Sequence, residues 1–178
     1  MPAWYDVENM GRDRLADSIE DDEKSMMQSV AVVDSLIEKE IEEQNISEGR
    51  IVIGGFSQGC VVTTLSSLIL KRKLAGLIAL SGWLALSHKI EELISPTAKE
   101  LAVFWGHGKQ DRVIEHRYGR QSCFLLRTLE NVKLPSVPAG TPFAKPGLRF
   151  ETYEGMNHSL GDQEIRDISE WLGYALPA

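Results

Sequence analysis

The stretch RIVIGGFSQGC, residues 50–60, decides the fold class of this chain. Its first half, Ile51 to Ile53, is β-branched and uncharged, which is typical of a parallel strand covered by helices on both faces. Gly55 to Gly59 then match the pattern G-x-S-x-G, in which glycines beside the serine let a strand turn sharply into a helix. The stretch therefore predicts a buried strand, a tight turn that presents the hydroxyl of Ser57, and a helix that starts near Gln58.

The segments on both sides of this stretch continue an alternation of helices and strands. Before it, apolar side chains recur every three or four residues and predict a long helix over Glu23–Gln44. The positions of this apolar face are Met26, Val30, Val33, Ile37 and Ile41. After it, the predicted elements are a helix over 58–73, core strands over 74–81 and 101–105, a helix over 112–131, an edge strand over 148–153 and a helix over 163–176.

Two of these helices carry apolar residues that are predicted to face the core. They are Val113, Tyr118, Leu125, Leu126 and Leu129 in the helix over 112–131, and Ile165, Ile168 and Leu172 in the last helix. The connection over 132–147 holds four prolines, which is too many for a helix or a central strand. It is therefore predicted to be an extended surface loop.

The order of these elements predicts an α/β fold, with a mostly parallel sheet and helices on both of its faces. A length of 178 residues suits one domain, which we expect to span 1–178. With 43% apolar and 25% charged residues, the composition argues against disorder and against a coiled coil. The net charge of -7 argues against anionic partners, a nucleic acid or an anionic membrane. Two acidic clusters, over 20–23 and 38–43, are expected to be solvated.

Cysteine usage and the distribution of apolar runs predict a soluble, cytoplasmic protein. Cys60 and Cys123 have neither metal-ligand nor CxxC spacing, so reduced thiols are expected. The start of the chain, MPAWYDVENM, lacks the basic residues and the apolar run of a signal peptide. No apolar run approaches the length that spans a membrane.

Three polar residues follow predicted strands, where ligands of parallel sheets bind. Ser57 follows the first strand, Asp111 follows the strand at 101–105 in GHGKQDRV, and His158 follows the strand at 148–153 in YEGMNHS. A serine nucleophile needs an imidazole to accept its proton and a carboxylate to orient that imidazole. The chain order Ser, Asp, His is that of α/β-hydrolases and differs from the orders of chymotrypsin and subtilisin. The sequence therefore predicts acyl transfer by these three residues.

Each of the three residues also has a structural alternative. Ser57 could match the pattern by chance, Asp111 fits the N-cap of a helix that begins at the next residue, and a lone histidine is commonly a surface residue. The weaker candidates for an acid, a base or a nucleophile are His88, His107, His116, Asp162 and Cys60. We expect His107 to follow the wrong strand for a base, and Cys60 to pack as a small residue at a helix start.

Several of these segments together resemble one enzyme family. GGFSQG, LAGLIALSGWL, GHGKQDRVI and TYEGMNHS are similar, in order and spacing, to segments of the acyl-protein thioesterases, which are cytosolic serine hydrolases also described as lysophospholipase-like carboxylesterases. The resemblance extends from MPAWYD to the final helix. It implies an α/β-hydrolase fold and hydrolysis of palmitoyl and other long-chain acyl thioesters on protein cysteines. It also implies side activity on lysophospholipids and small esters, without a metal or a cofactor.

The resemblance assigns roles to individual residues. It makes Ser57 the nucleophile, Asp111 the orienting acid and His158 the base. The backbone N–H of Gln58 would supply one half of the oxyanion hole. Trp83 and Leu84, in SGWL, match the segment beside the acyl groove of the family, where an exposed apolar pair would contact a fatty chain; core packing is the alternative for the tryptophan.

The resemblance also sets the expected partners and location. The partners are S-acylated proteins, lysophospholipids or other acyl esters, without a nucleic acid or a transmembrane segment. A transient contact with a membrane surface and a homodimer are both compatible with the family. The expected location is the cytoplasm, with the nucleus as a second compartment.

The front of the chain departs from the family pattern. In the family, further strands and a glycine-rich HGLGD loop precede the segment that MPAWYD matches, and that loop supplies the second oxyanion donor. No HGxG-like string precedes Ser57 here, and loss of one donor typically lowers the rate by about 10² to 10³. We therefore expect a fold without the first strands of the family, an uncovered sheet edge beside Ile51 and impaired activity.

The same departure supports a second interpretation, a binding protein. A shortened hydrolase that keeps its acyl groove but turns over poorly would bind lipidated peptides, or pair with another chain through its open edge. Binding without turnover would distinguish it from the enzyme. A third interpretation is another α/β-hydrolase activity, such as that of a peptidase or a small-ester hydrolase, because one fold serves many substrates.

Overall fold

Within the described part of the chain, a four-stranded parallel sheet organises the fold, in the order β1-β2-β3-β4. The strands are Val52–Phe56, Gly76–Leu80, Ala102–Gly108 and Gly147–Tyr153. The computed structural model describes residues 3–5 and 22–176, so half of MPAWYD and the first half of the acidic cluster at 20–23 lie outside the described residues. Because consecutive parallel strands are neighbours, each connection must cross over a face of the sheet. The predicted mostly parallel sheet is confirmed.

Helices cover both faces of this sheet, as the sequence predicts. They are α1 Glu23–Gln44, α2 Gln58–Ile69, the single turn α3 Ile90–Leu93, α4 His116–Thr128 and α5 Asp162–Ala175. On one face α1, α2 and α4 bury inward side chains of the central strands, including Leu77, Val103 and Trp105. On the other face α5 packs Trp171 against Phe104. Successive side chains of a strand therefore pack into two separate apolar clusters, because they point alternately to the two faces of the sheet.

The helix α1 has the predicted bounds, because signals close in sequence set both of its ends. The carboxylate of Asp22 accepts the backbone N–H of Ser25 at 3.0 Å, which is an N-cap. At the other end Asn45 takes a left-handed conformation with φ 53°, which suits asparagine at a helix end. Four predicted inward residues, Met26, Val30, Val33 and Ile37, are buried, while Ile41 is half-buried.

The strand β1 lies at the edge of the sheet among the described residues, as the predicted uncovered edge beside Ile51 requires. Among the described residues its one strand neighbour is β2, and its side chains are half-buried, with Gly54 exposed. Ile51 and Ile53 pack against the cluster under α1 and α2, whereas Val52 and Phe56 pack toward α5. An apolar run in the sequence indicates that both faces of a strand are covered. It does not indicate how many other strands pair with that strand.

Three local predictions are wrong in detail. The strand β3 continues past Trp105 to Gly108, because its ladder with β4 continues to Tyr153. The helix α4 begins at His116 rather than 112, so Val113 is an exposed loop residue. Ile165 in α5 is also exposed, because the buried face of that helix passes through Glu164, Trp171 and Ala175.

The connection over 132–147 is irregular, as its prolines predict, but it is not a pure surface loop. Val132, Leu134 and Val137 are buried, and Ser136 forms an isolated bridge with Leu148. The backbone N–H of Leu148 donates to Pro135 O at 2.8 Å. These contacts fasten the connection along the outer edge of β4.

Candidate active site

The turn between β1 and α2 holds Ser57 in an unusual backbone conformation. Its φ is 57° and its ψ is -121°, which an L residue rarely adopts. Its N–H donates to Leu80 O at 3.0 Å, which ties the turn to the neighbouring strand. A Cβ at Gly55 would lie 2.2 Å from the carbonyl carbon of Gly59. The strand and the helix therefore approach each other so closely that only glycine fits at this position. The turn therefore has the sharp strand-to-helix geometry that exposes a nucleophile.

A chain of hydrogen bonds links the three residues predicted for acyl transfer. Nε2 of His158 lies 3.0 Å from Oγ of Ser57, and Nδ1 of the same ring lies 2.7 Å from Oδ2 of Asp111. Because a carboxylate can only accept, Nδ1 carries the proton of a neutral ring and Nε2 is free to accept one. The arrangement can therefore remove the proton of the serine hydroxyl while the carboxylate stabilises the imidazolium.

The second oxygen of the Asp111 carboxylate fixes its orientation. Oδ1 accepts the backbone N–H groups of Val113 and Ile114 at 2.9 and 2.8 Å, and the side chain is buried. The alternative role of Asp111 as the N-cap of a helix is therefore partly right. Its carboxylate closes a turn, but α4 begins only at His116. One carboxylate holds both the loop and the imidazole.

The loops that carry the acid and the base are joined directly, beyond the ends of β3 and β4. Gln110 donates its backbone N–H to Met156 O at 3.0 Å and accepts the N–H of Gly155 on its side-chain oxygen at 2.6 Å. A Cβ on Gly108 would lie 2.4 Å from Met156 O, so the two loops pack backbone to backbone. The ring of Phe56 packs against that of His158, with centroids 4.6 Å apart. These contacts limit how far the imidazole can move.

His107 supports the acid loop rather than contacting Ser57. It is fully buried in β3, and its Nε2 lies 2.9 Å from Ile114 O and 3.5 Å from Oδ2 of Asp111. Burial lowers its pKa, so the ring is neutral and donates Nε2–H to the carbonyl. The sequence argued against His107 as the base. It could not show the contact with Ile114, because that contact depends on where the loop after β3 folds back.

Three further residues that the sequence singled out, Gln58, Cys60 and His116, lie in different settings. Gln58 is the first residue of α2, so its backbone N–H belongs to the helix-start groups that have no acceptor within the helix. Cys60 is fully buried against Gly82, and burial raises the pKa of its thiol to about 12. Its predicted packing role is confirmed. Burial also lowers the pKa of His116, to about 4.

Trp83 and Leu84 are not the exposed pair that the resemblance implies. Their exposed fractions are 9% and 4%, and both belong to the core cluster under α1, α2 and α4. The backbone N–H of Leu84 donates to Oγ of Ser122 on α4 at 2.8 Å, which holds the segment inward. The core-packing alternative for the tryptophan describes the structure better, because the segment is covered by a helix that sequence reasoning did not place there.

The described residues contain no group of three or more His, Cys, Asp or Glu side chains placed to hold a metal ion. Within the same residues, no helix is long and apolar enough to cross a membrane.

The parallel sheet, the strained strand-to-helix turn and the Ser-His-Asp contacts at the carboxyl ends of the strands define the chain as an α/β-hydrolase of the serine type. Comparison with known sequences narrows the class. The family described as Phospholipase/Carboxylesterase matches residues 1–176. The chain therefore belongs to the phospholipase/carboxylesterase family.

Its similar relatives include several thioesterases. Acyl-protein thioesterase 1 of Cryptococcus neoformans is 47% identical over 99% of this chain and 72% of the relative. Acyl-protein thioesterase 1 of Yarrowia lipolytica is 33% identical over 97% of this chain and 68% of the relative. Among solved structures, Arabidopsis thaliana SOBER1 has a TM-score of 0.80 at 26% identity, covering 98% of this chain and 74% of that one. Zea mays acyl-protein thioesterase 2 has a TM-score of 0.77 at 23% identity, covering 98% and 72%.

Proposed function

We propose that the chain hydrolyses long-chain acyl thioesters, palmitoyl groups among them, on the cysteines of S-acylated proteins. Side activity on lysophospholipids and other acyl esters follows from the same chemistry. The observation that carries the proposal is the continuous contact from Asp111 through His158 to Oγ of Ser57. The substrate class is taken from the relatives, which are named acyl-protein thioesterases. The proposed cellular location is the cytoplasm, with the nucleus as a second compartment.

The first half of the proposed reaction forms an acyl-enzyme. His158 accepts the proton of Ser57 as the serine oxygen attacks the thioester carbonyl, and Asp111 stabilises the imidazolium. The backbone N–H of Gln58 donates to the oxyanion that forms on the carbonyl oxygen. The carbon–sulfur bond then breaks and the cysteine leaves. Because a thiolate is a good leaving group, the bond can break before the sulfur is protonated. The imidazolium then gives its proton to the leaving sulfur, which returns His158 to the neutral form.

The second half releases the fatty acid. His158 accepts a proton from water, which attacks the acyl carbon bound to Ser57. The carbon–oxygen bond to the serine breaks, and the imidazolium returns the proton to the serine oxygen. We assign Trp83 and Leu84 to the acyl side of the site as buried wall residues, since they begin directly after Gly82, which packs against the backbone of Ser57.

The proposal is tested by labelling the purified chain with a fluorophosphonate probe beside a palmitoyl-thioester peptide assay. The expected result is labelling and turnover in the wild type, and loss of labelling with a rate at least roughly 10³-fold lower in Ser57→Ala. Ser35→Ala is the matched control, because Ser35 is an exposed serine of α1 whose hydroxyl donates to Val32 O in the same helix. It should keep both signals.

Folded wild-type chain that takes no label would contradict the proposed function. If that chain still bound a palmitoylated peptide, the binding interpretation of the sequence would replace the enzyme. Turnover of short esters without turnover of palmitoyl thioesters would instead favour a different hydrolase activity of the same site.

A further inference from the structure

A groove of about 570 Å³ lies between α4 and the segment that follows β2, outside the triad. Ser87 and His88 line one side, while Arg117, Arg120 and Phe124 on α4 line the other. None of the residues that line the groove is acidic. The mechanism proposed above uses none of these side chains.

The charge of the groove is opposite to that of the chain, which has a net charge of -7. Within the described residues, Arg120 has no carboxylate within salt-bridge distance. Arg117 pairs with Glu115 at 3.0 Å, but both side chains are about half exposed, so this pair is weak and leaves guanidinium donors available. An arginine without a partner on an acidic protein favours an anionic ligand.

The groove also has an apolar element. The side chain of Phe124 is 64% exposed, one turn along α4 from Arg120, and Leu125 lies beside it in the lining. Guanidinium groups next to an exposed aromatic ring suit a peptide segment, which presents carboxylates together with apolar stems. A concave site of this kind admits a single chain more readily than the flat surface of a bilayer.

A short segment of chain connects the groove with the backbone of the nucleophile. A Cβ on Gly82 would lie 3.1 Å from the carbonyl oxygen of Ser57, and the chain runs from there to Ser87 at the groove. Fully extended, that segment spans at most about 18 Å. The hydrogen bond between Leu84 and Ser122 holds the segment along α4. A substrate with its thioester at the serine can therefore reach the groove with residues a few positions from its acylated cysteine.

We propose that this groove binds the protein part of the acylated substrate and selects substrates that carry Asp or Glu within a few residues of the acylated cysteine. The inference rests on the proposed function and adds a specificity to it. Arg120 provides the principal contact, because it is the lining arginine without a carboxylate partner among the described residues. Arg117 and Phe124 provide the flanking contacts.

Pairs of palmitoyl-cysteine peptides that differ only in Asp against Asn near the cysteine test the proposal. The expected kcat/KM of the wild type is roughly five- to tenfold higher for the acidic peptide at low salt, and the ratio falls in high salt. Arg120→Glu should abolish or reverse this preference. Arg127→Glu is the matched control, an exposed arginine of the same helix that does not line the groove, and it should keep the preference. All three proteins should hydrolyse a small palmitoyl thioester equally.

Equal rates for the two peptides in the wild type, or an unchanged preference in Arg120→Glu, would overturn the proposal. Thioether versions of the peptides, which cannot be hydrolysed, are compared by fluorescence anisotropy and test the groove without turnover. Preferential binding of the acidic thioether in a chain that hydrolyses nothing would contradict the proposed function alone. Binding to anionic phospholipid vesicles that depends on Arg120, without any peptide preference, would assign the groove to membranes and overturn the inference.

Discussion

The unusual backbone conformation of Ser57 and the hydrogen bond to His158 together position the serine hydroxyl. A positive φ at a residue with a side chain costs free energy, and such strain persists where the surrounding structure enforces it. Here the hydrogen bond to Leu80 O and the start of α2 enforce it from both sides. The strain is therefore a property of the turn, and the triad depends on that turn being intact.

Glu164 is a second residue whose environment governs its chemistry. Its side chain is fully buried at the start of α5, where Oε1 packs against the backbone of Gly106. Burial raises the pKa of this carboxyl from 4.5 to about 7, and the nearby charge of Asp167 adds to the effect. The folded protein therefore holds a proton that the unfolded chain releases at lower pH.

Glu164→Gln should change the pH dependence of stability. Below pH 4.5 both states of the wild type are protonated at this position, so no folding free energy is lost there. As the pH rises to about 7 the unfolded state ionises first, and the wild type loses roughly 3 kcal/mol relative to the glutamine variant. Urea unfolding of both proteins from pH 4.5 to 8 measures this difference. Glu170→Gln, an exposed change on the same helix, is the control, and parallel curves for the wild type and Glu164→Gln would contradict the prediction.

At the scale of elements, β1, the serine turn and α2 form one unit that depends on close backbone contact. Gly55 and Gly59 both belong to the motif, but their surroundings differ. A Cβ at Gly55 meets the backbone of the helix at 2.2 Å, whereas the nearest atom to a Cβ at Gly59 is Nε1 of Trp4 at 3.9 Å. The first glycine is required by packing, and the second has room for a methyl group.

Substitution of these two glycines by alanine should therefore affect stability very differently. Gly55→Ala should lower the free energy of unfolding by roughly 3 kcal/mol or more, because neither backbone segment can move without breaking the turn. Gly59→Ala should leave stability unchanged or raise it by up to about 1 kcal/mol, since alanine favours the helix. Thermal and urea unfolding of the two variants test the pair. Equal destabilisation by both changes would refute this account of the motif.

At the scale of the whole molecule, Arg72 joins parts of the chain that are distant in sequence. It follows α2, and its guanidinium contacts Asp34 on α1 at 2.8 Å and Glu48 before β1 at 3.3 Å. Glu38 on α1 is a third partner. The hydrogen bonds to these carboxylates raise the pKa of the arginine. This cation thus helps to hold the outer helix, which packs mainly against α2 and also pairs its Glu23 with Lys89.

Arg72→Met should weaken the attachment of α1 while keeping the apolar stem of the side chain. Three carboxylates would then face each other without a cation, and we expect a loss of roughly 1 to 3 kcal/mol in the free energy of unfolding. High salt should recover part of the loss by screening the repulsion. Urea unfolding at low and high salt measures both effects. Arg166→Met, at an exposed arginine of α5, is the control, and a similar loss there would argue against the network.

Much of the fold follows from patterns within short windows of sequence. The bounds of α1 were predictable because a capping carboxylate and a left-handed asparagine act locally. The strands and the serine turn were predictable because apolar runs and glycines specify them. Val113 and Ile165 were misplaced because an apolar residue beside a helix, or one position off its buried face, has the same local pattern as a core residue.

The class of chemistry could be predicted from the sequence, because it follows from the kinds of residue, their order along the chain and their positions after strands. The contacts of His107, the burial of Trp83 and Leu84, and the basic groove on α4 became visible only in the folded molecule. The physical reason is distance along the chain. Propensities and caps act over a few residues, whereas burial and charge pairing depend on segments that become neighbours only when the sheet and its helices pack together.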